Sequence, residues 1–438
     1  MEIKNNYRFL SFILIFLSFS SFFLGFYLDE NSAGGGSYLG DWDRAWPNVQ
    51  IFLNNDISTA INHEVFETNR SPLLYILHGL FNPFAGTEIG YRRSVFVISL
   101  LVPALFYLCL KQKFQKKDNL LLLLAASCIL LSPYFRTSSY WGLEENYGII
   151  SLLLTFLFLN SFLKNKNENS YKIYSQLFLL VFFSSVCVYF DQKLLIIPII
   201  CFVKIIVCKK LVILKIFSTF SYFILSLPYI YLMILWGGIL PMHDTMYTGL
   251  GKELYLGHIG YACTIIAFYF LPFLFFKEKN FLQLIKSFFL KKKNNYLILL
   301  FLAYLLFLLI FSFLSQQDFL NINYSLGKGF IHKFSLVLFQ DPSIRSIFVY
   351  FSFFVAWIII LIFLENNVKD SLILFYFFTL SIITTPILQE YFDPLMLVMI
   401  FTFFSSKVLI NYKNSMILFL YLSIFLVSSN IYYYNLLN

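Results

Sequence analysis

Asp29 and Glu30 stand directly after the first long apolar run, and beyond Gly34-Gly35-Gly36 the segment Asp41-Trp42-Asp43-Arg44-Ala45-Trp46 adds two more carboxylates. An apolar edge raises a carboxyl's pKa towards the pH at which proton transfer is efficient, so Asp29, Glu30, Asp41 and Asp43 are candidates for general-base work. The competing reading is that these carboxylates only mark a loop that has crossed a membrane. Backbone N–H groups of a glycine run can cradle a phosphate, but no lysine or serine follows at phosphate-loop spacing, and Gly34 to Gly36 read as a hinge.

A second cluster runs from Ser132 to Tyr147, with Arg136, Trp141, Glu144 and Glu145 in one short connection between apolar runs. Charges there are costly against lipid, so they must face water or one another. The aromatic residues fit either an interfacial belt or a surface for stacking sugar rings. A third candidate is the turn Gln389-Glu390-Tyr391-Phe392-Asp393-Pro394, and a fourth is Asp191-Gln192-Lys193, whose charges can pair across a hairpin. The histidines, His63, His78, His243, His258 and His332, show no ligand spacing, and the reading is that no metal and no cofactor is bound. The six cysteines, Cys109, Cys128, Cys187, Cys201, Cys208 and Cys263, fall in apolar runs without a CxxC pair and read as packing residues.

The elements that position these groups must lie in lipid. Of 438 residues 59% are hydrophobic and 13% charged, 56 are phenylalanine, and the mean hydropathy is +0.75. No water-soluble domain of this composition can cover its surface with polar groups. A bilayer core about 30 Å thick requires roughly 20 apolar residues of helix. Runs near that length lie at 9–28, 92–110, 120–133, 147–163, 173–190, 194–208, 212–235, 258–276, 296–314, 346–364, 371–388, 394–412 and 416–434. The expected fold is therefore all-α, a polytopic transmembrane helix bundle of about 11–13 spans. The first run exceeds the core of a signal peptide and is taken as a retained span. The chain reads as one integral membrane domain, 1–438.

With the N-terminus in the cytoplasm, Lys111, Lys113, Lys116, Lys117, Lys209, Lys210, Lys277, Lys286 and Lys291 to Lys293 fall on that side, as the positive-inside rule requires. The net charge of +9 is thus a topology signal and not a nucleic-acid footprint. Arginine behaves oppositely. Apart from Arg8, the arginines (Arg44, Arg70, Arg92, Arg93, Arg136 and Arg345) fall on the outer side, where a planar fork of donors suits a phosphate or carboxylate. Pairing with acidic residues of the same face explains them equally well.

The outer loop 29–91 is the largest polar stretch, followed by 315–345 and 236–257, which places function on the non-cytoplasmic face. Within the first loop, Trp46 to Ile61 carries Val49, Phe52, Leu53 and Ile57 at helical spacing and predicts an interfacial helix. Ser71 to Phe84, bounded by Ser71-Pro72 and Asn82-Pro83, predicts a helix too short to cross.

An Asp-Glu pair closing the first span, a long outer loop with interfacial helices, Pro72-Leu73-Leu74-Tyr75, Arg92-Arg93 opening the next span and Ser132-Pro133 with a downstream arginine and acids together resemble the membrane-embedded GT-C glycosyltransferases. The likeness is to the polyprenyl- or dolichyl-phosphate-sugar-dependent branch that includes protein mannosyltransferases and lipid A aminoarabinose transferases, over roughly residues 1–165. It implies a catalytic part at 1–165 and a helical part at 166–438 for donor and acceptor binding. It also implies an acid in the first loop as base, Asp29 first, with Glu30, Asp41 and Asp43 as contenders, and a donor phosphate held by Arg136, Arg92, Arg93 or Lys328. Glu144, Glu145, Trp141 and Tyr391 are then substrate-binding, and Arg136 with Glu144 or Glu145 matches the family's second-loop pattern. Two departures stand out: Asn31 to Gly36 intervene after Asp-Glu, leaving the base open between Asp29 and Asp41, and Gln389-Glu390 precede Tyr391 where the family often has arginine.

The expected activity is inverting transfer of a sugar from a polyprenyl-phosphate carrier to a glycan, lipid or protein acceptor. A transporter or flippase of lipid-linked saccharides, or a surface polysaccharide polymerase or ligase, shares the outer arginines and stands as the alternative. Heavy use of Phe, Ile, Asn and Lys with few Arg points to an A+T-rich genome and a bacterial inner membrane, with the active site periplasmic.

Overall fold

The computed structural model describes residues 2–36, 40–66, 68, 70–165, 171–208, 210–238, 254–277, 281–315, 320, 322–323, 326–365, 367–406 and 408–437. Every long regular element among them is helical. The helices are α1 Glu2–Tyr27, α2 Trp42–Asn54, α3 Ile57–Ile61, α4 Leu73–Phe81, α5 Glu88–Ser99, α6 Leu101–Lys113, α7 Asn119–Ser127, α8 Pro133–Trp141, α9 Glu145–Lys164, α10 Tyr171–Phe190, α11 Ile196–Val207 and α12 Val212–Trp236. They continue as α13 His258–Phe270, α14 Phe281–Phe289, α15 Lys292–Ser315, α16 Gly329–Leu338, α17 Pro342–Leu364, α18 Val368–Ile383, α19 Leu395–Phe401 and α20 Tyr412–Leu437. His243, Lys209 and most of the polar stretch 236–257 lie outside the described residues.

Among the described residues eight helices are long and apolar enough to cross a bilayer: α1, the continuous α5–α6, α9, α10, α12, α15, α17 and α20. The chain is an integral membrane protein. The run at 120–133 makes a ninth only if α7 is counted with α8, and the two are bent by 69° at Ser132-Pro133. This is fewer than the 11–13 expected from apolar runs. The runs at 194–208, 258–276, 371–388 and 394–412 fold into helices of 12, 13, 16 and 7 residues, about 18, 20, 24 and 10 Å long, short of the roughly 30 Å hydrocarbon core. Hydropathy counts apolar residues without registering where the helix breaks, as at Leu271-Pro272 and Thr402.

The chain separates into two compact units, Met1–Asp244 with Phe419–Asn438, and Thr245–Leu418. In the first unit Phe22 of α1, fully buried, stacks on Phe96 of α5 at 5.1 Å and on Phe135 of α8 at 5.5 Å, with Tyr140 of α8 at 5.2 Å. The Tyr140 hydroxyl donates to the Phe22 carbonyl at 2.7 Å. This aromatic keystone fixes α8 against the end of α1. Ser132 starts α8 by accepting from the Phe135 N–H at 3.1 Å with Pro133 in the first turn, where a proline loses no helical hydrogen bond. In the loop 29–91 the helix expected over Trp46 to Ile61 is broken at Asn55-Asp56 into α2, which buries Val49 and Phe52 and exposes Leu53, and α3, which exposes Ile57; α4 occupies Leu73–Phe81 within the expected short helix.

In the second unit α13 packs on α16, α17 and α18. Its polar end holds the short 3-10 turn Gln389–Tyr391, where buried Gln389 accepts from the Phe330 N–H and donates to the Tyr269 hydroxyl at 3.2 Å.

Candidate functional site

The end of α1 decides where the first two carboxylates go. The Glu30 N–H reaches the Gly25 carbonyl at 2.9 Å and the Asp29 N–H the Phe26 carbonyl at 3.3 Å, with Asp29 at φ 52°. This is the Schellman ending, in which the left-handed position is usually glycine. Aspartate there carries local strain of the kind found at functional positions. The reversal sends neighbouring side chains apart.

Glu30 turns inward. Its carboxylate accepts from Arg136 Nη1 at 2.6 Å and from the Asn430 amide at 3.2 Å, and its carbonyl accepts from the Trp141 indole at 3.0 Å. Arg136, 2% exposed, also donates to the Leu130 carbonyl at 2.7 Å and to the Ser21 hydroxyl. Gly25 makes the latch possible, since a β-carbon there would collide with the Glu30 carboxylate and the Tyr140 hydroxyl. The pairing of Arg136 with Glu144 or Glu145 is not formed. Its guanidinium is instead enclosed by α1, the end of the run at 120–133 and Glu30.

Asp29 turns outward, keeping 62% of its side chain accessible while pairing with Arg92. Arg92 is fixed from behind: its Nε donates to the Tyr140 carbonyl at 2.8 Å and its guanidinium lies 4.1 Å from the Trp141 ring. Adjacent Arg93 is exposed.

The glycine run is a close-packed strap and not a hinge. Asn31 braces it by donating to the Gly36 carbonyl at 2.7 Å and accepting from the Gly36 N–H at 2.9 Å. A β-carbon on Gly36 would strike the Trp141 ring, and one on Gly34 the Tyr433 ring. Gly35 lies against the Asp41 carboxylate, where a β-carbon would come within 3.1 Å. Asp41 pairs with Arg44 at 3.2 Å and retains 46% side-chain exposure. It is recessed among protein groups yet open to water, and that recession, with the negative charge of Glu145, lifts its carboxyl above the ordinary range against the pull of Arg44 and Arg70. Asp43 is exposed on α2.

Glu144 and Glu145 are held by Arg70, at 3.0 and 2.7 Å. Glu145 also accepts from the Ser138 hydroxyl at 2.9 Å. Asp191, paired with Lys193 at 2.8 Å, lies within electrostatic reach of Arg70, and Lys193 within reach of Glu145. Burial pushes the Glu144 carboxyl up to about 7; Arg70 opposes the shift, and Glu145 and Asp41 add to it. Close by, burial drives His78 down to about 4. The Asn82 amide donates to its Nδ1 at 2.8 Å, which places the proton on Nε2, 2.6 Å from the Tyr147 hydroxyl.

The structure thus brings Asp29, Glu30, Asp41, Arg92, Arg136, Trp141, Glu144 and Glu145 to one end of the first unit. Lys328 and Tyr391 belong to the second, where Lys328 is 5% exposed with its ammonium 5.5 Å from the Tyr261 ring centre. Among the described residues no three His, Cys, Asp or Glu side chains converge as a metal site. In sequence Arg70 and Arg44 stand out only as members of the outer arginine group, and Asp191 with Lys193 reads as a separate cluster. The outer clustering of arginine was the signal that includes the first two, but nothing local in sequence says which carboxylate each meets. Comparison with known protein families, characterised proteins and solved structures returns no match.

Proposed function

We propose that the chain is a glycosyltransferase that moves a sugar from a polyprenyl-phosphate carrier to a glycan, lipid or protein acceptor on the non-cytoplasmic face, with inversion. The observation that supports this reading best is an accessible carboxylate, Asp29, held at a membrane-proximal helix end by an enclosed arginine, with a second accessible carboxylate, Asp41, at the start of α2 against Gly35 of the strap. Asp29 takes the proton of the acceptor hydroxyl as that oxygen attacks the anomeric carbon. The bond from that carbon to the carrier phosphate breaks, and the phosphate leaves as an anion. Arg44 and Arg93, which remain accessible, meet its charge. Arg136 and Arg92 hold the carboxylates in place from behind. Trp141, beside Arg92 and under the strap, shapes the wall of the site.

The test uses the purified full chain in lipid nanodiscs with a polyprenyl-phosphate carrier labelled in the sugar. Transfer of label to a water-soluble or lipid acceptor, with release of sugar-free polyprenyl phosphate, is the expected result. Label that crosses the bilayer of a sealed vesicle with the carrier bond intact identifies a flippase instead. Mass spectrometry of lipid-linked and surface glycans in a deletion strain then names sugar and acceptor.

A further inference from the structure

In the second unit, α14 and the start of α15 form a corner that the proposed transfer does not use. Asn294 pins it, donating from its side chain to the Phe288 carbonyl at 2.8 Å and from its backbone to the Lys291 carbonyl at 2.9 Å. Leu284 and Phe288 turn inward and are buried, and α14 packs on α15 and α17. The opposite side is exposed: Phe289 at 48%, Leu290 at 76%, and Lys286, Lys291, Lys292 and Lys293 beside them.

The position of this corner in the bilayer follows from α15. The helix is long and apolar enough to cross a bilayer and most of its apolar surface is left uncovered by the rest of the protein, so lipid covers it. Its first residue, Lys292, marks the edge of the hydrocarbon, and α14, joined through a tight turn, lies at headgroup depth. There Phe289 and Leu290 reach acyl chains while the lysines stay at the polar surface. Lys291 to Lys293 also sit at a helix N-terminus, where the helix dipole disfavours cations. No Asp or Glu occurs from 281 to 315 to offset them. Among the described residues Glu365 lines the same cavity as Lys291 and pairs with Lys277 at 3.6 Å.

We infer that this corner is a docking surface for anionic phospholipid, with Lys286 and Lys291 to Lys293 gripping headgroups of the leaflet in which it lies. Each lysine near an anionic surface contributes roughly fivefold to binding. The inference does not depend on the proposed transfer.

The test is hydrogen exchange of segment 281–293 in the full chain, in nanodiscs of phosphatidylcholine alone or with phosphatidylglycerol. Protection should rise with phosphatidylglycerol, fall again at high salt, and be largely lost in Lys291→Gln/Lys292→Gln/Lys293→Gln. Because that run also directs insertion, Lys286→Gln provides a milder second variant that keeps it, and should need several-fold more phosphatidylglycerol for equal protection. Equal protection in both lipids, or an unchanged lipid requirement in Lys286→Gln, overturns the assignment.

Discussion

Asp29 and Glu30 are neighbours of the same chemistry with opposite fates. Glu30 is part of a latch that ties α1, α8 and the distant Asn430 of α20 together, while Asp29 keeps 62% of its side chain accessible on Arg92. One left-handed residue separates the two regions. The difference teaches that an exposed carboxylate can rest on an enclosed frame built from its own neighbour, and that charge alone does not tell the two apart.

The comparison breaks most visibly at the latch. Arg136→Ala strands a buried carboxylate and Glu30→Ala a buried guanidinium, and each should cost about 3–5 kcal/mol, read as a large fall in thermal unfolding temperature in detergent. The two should couple strongly in a double-mutant cycle, whereas Arg136→Ala and Glu144→Gln should be near additive. Additivity of the first pair would deny the latch.

A smaller loss is expected from Gly25→Ala, which forces a methyl against Glu30 and Tyr140 and should cost about 1–3 kcal/mol. Normal stability in that variant would show that the helix end can relax away from the keystone.

The cluster around Arg70 should show itself in pH dependence. Glu144 has a folded-state value raised from 4.5 to about 7, so the folded chain binds more protons than the unfolded one across that window. Its contribution to stability is therefore complete below 4.5 and lost as pH rises through about 7. His78, held down to about 4, contributes with the opposite sign below its ordinary 6.5, so the reading is the difference between the two chains: from pH 5 to 8 the unfolding temperature of the wild type should decline relative to that of Glu144→Gln. Parallel slopes would mean that Glu144 is an ordinary carboxylate.

Smallest of all is Asp43→Asn. Asp43 is exposed on α2, and both stability, within about 0.5 kcal/mol, and transfer should be unchanged. A loss of transfer would bring Asp43 into the site.

Much of this arrangement was legible in the residues. Composition shows the helical membrane bundle, the prolines bracket α4, and the apolar spacing of Val49 and Phe52 marks α2. The span count was not, because breaks such as the 69° bend at Ser132-Pro133 leave apolar runs intact. Asp29, Glu30 and Arg92 stood out as chemistry, but their pairing did not. Arg136 meets Glu30 across 106 residues and Asn430 meets it across 400, separations that only the packed helices bridge. Glycines invite the reading of a hinge, yet Gly34 and Gly36 are needed here for close approach of Tyr433 and Trp141. That is a property of partners absent from the local sequence.

The central claim is that Asp29 is the base and Glu30 is not. Asparagine tolerates the left-handed backbone at position 29, so Asp29→Asn removes the charge and leaves the helix ending in place. The decisive measurement is the rate of label transfer from the polyprenyl-phosphate sugar by purified, folded Asp29→Asn beside Asp41→Asn. The account predicts transfer abolished in Asp29→Asn, with unfolding temperature near that of the wild type, and retained in Asp41→Asn. Full transfer in Asp29→Asn with loss in Asp41→Asn would move the base to Asp41, and full transfer in both would contradict the account.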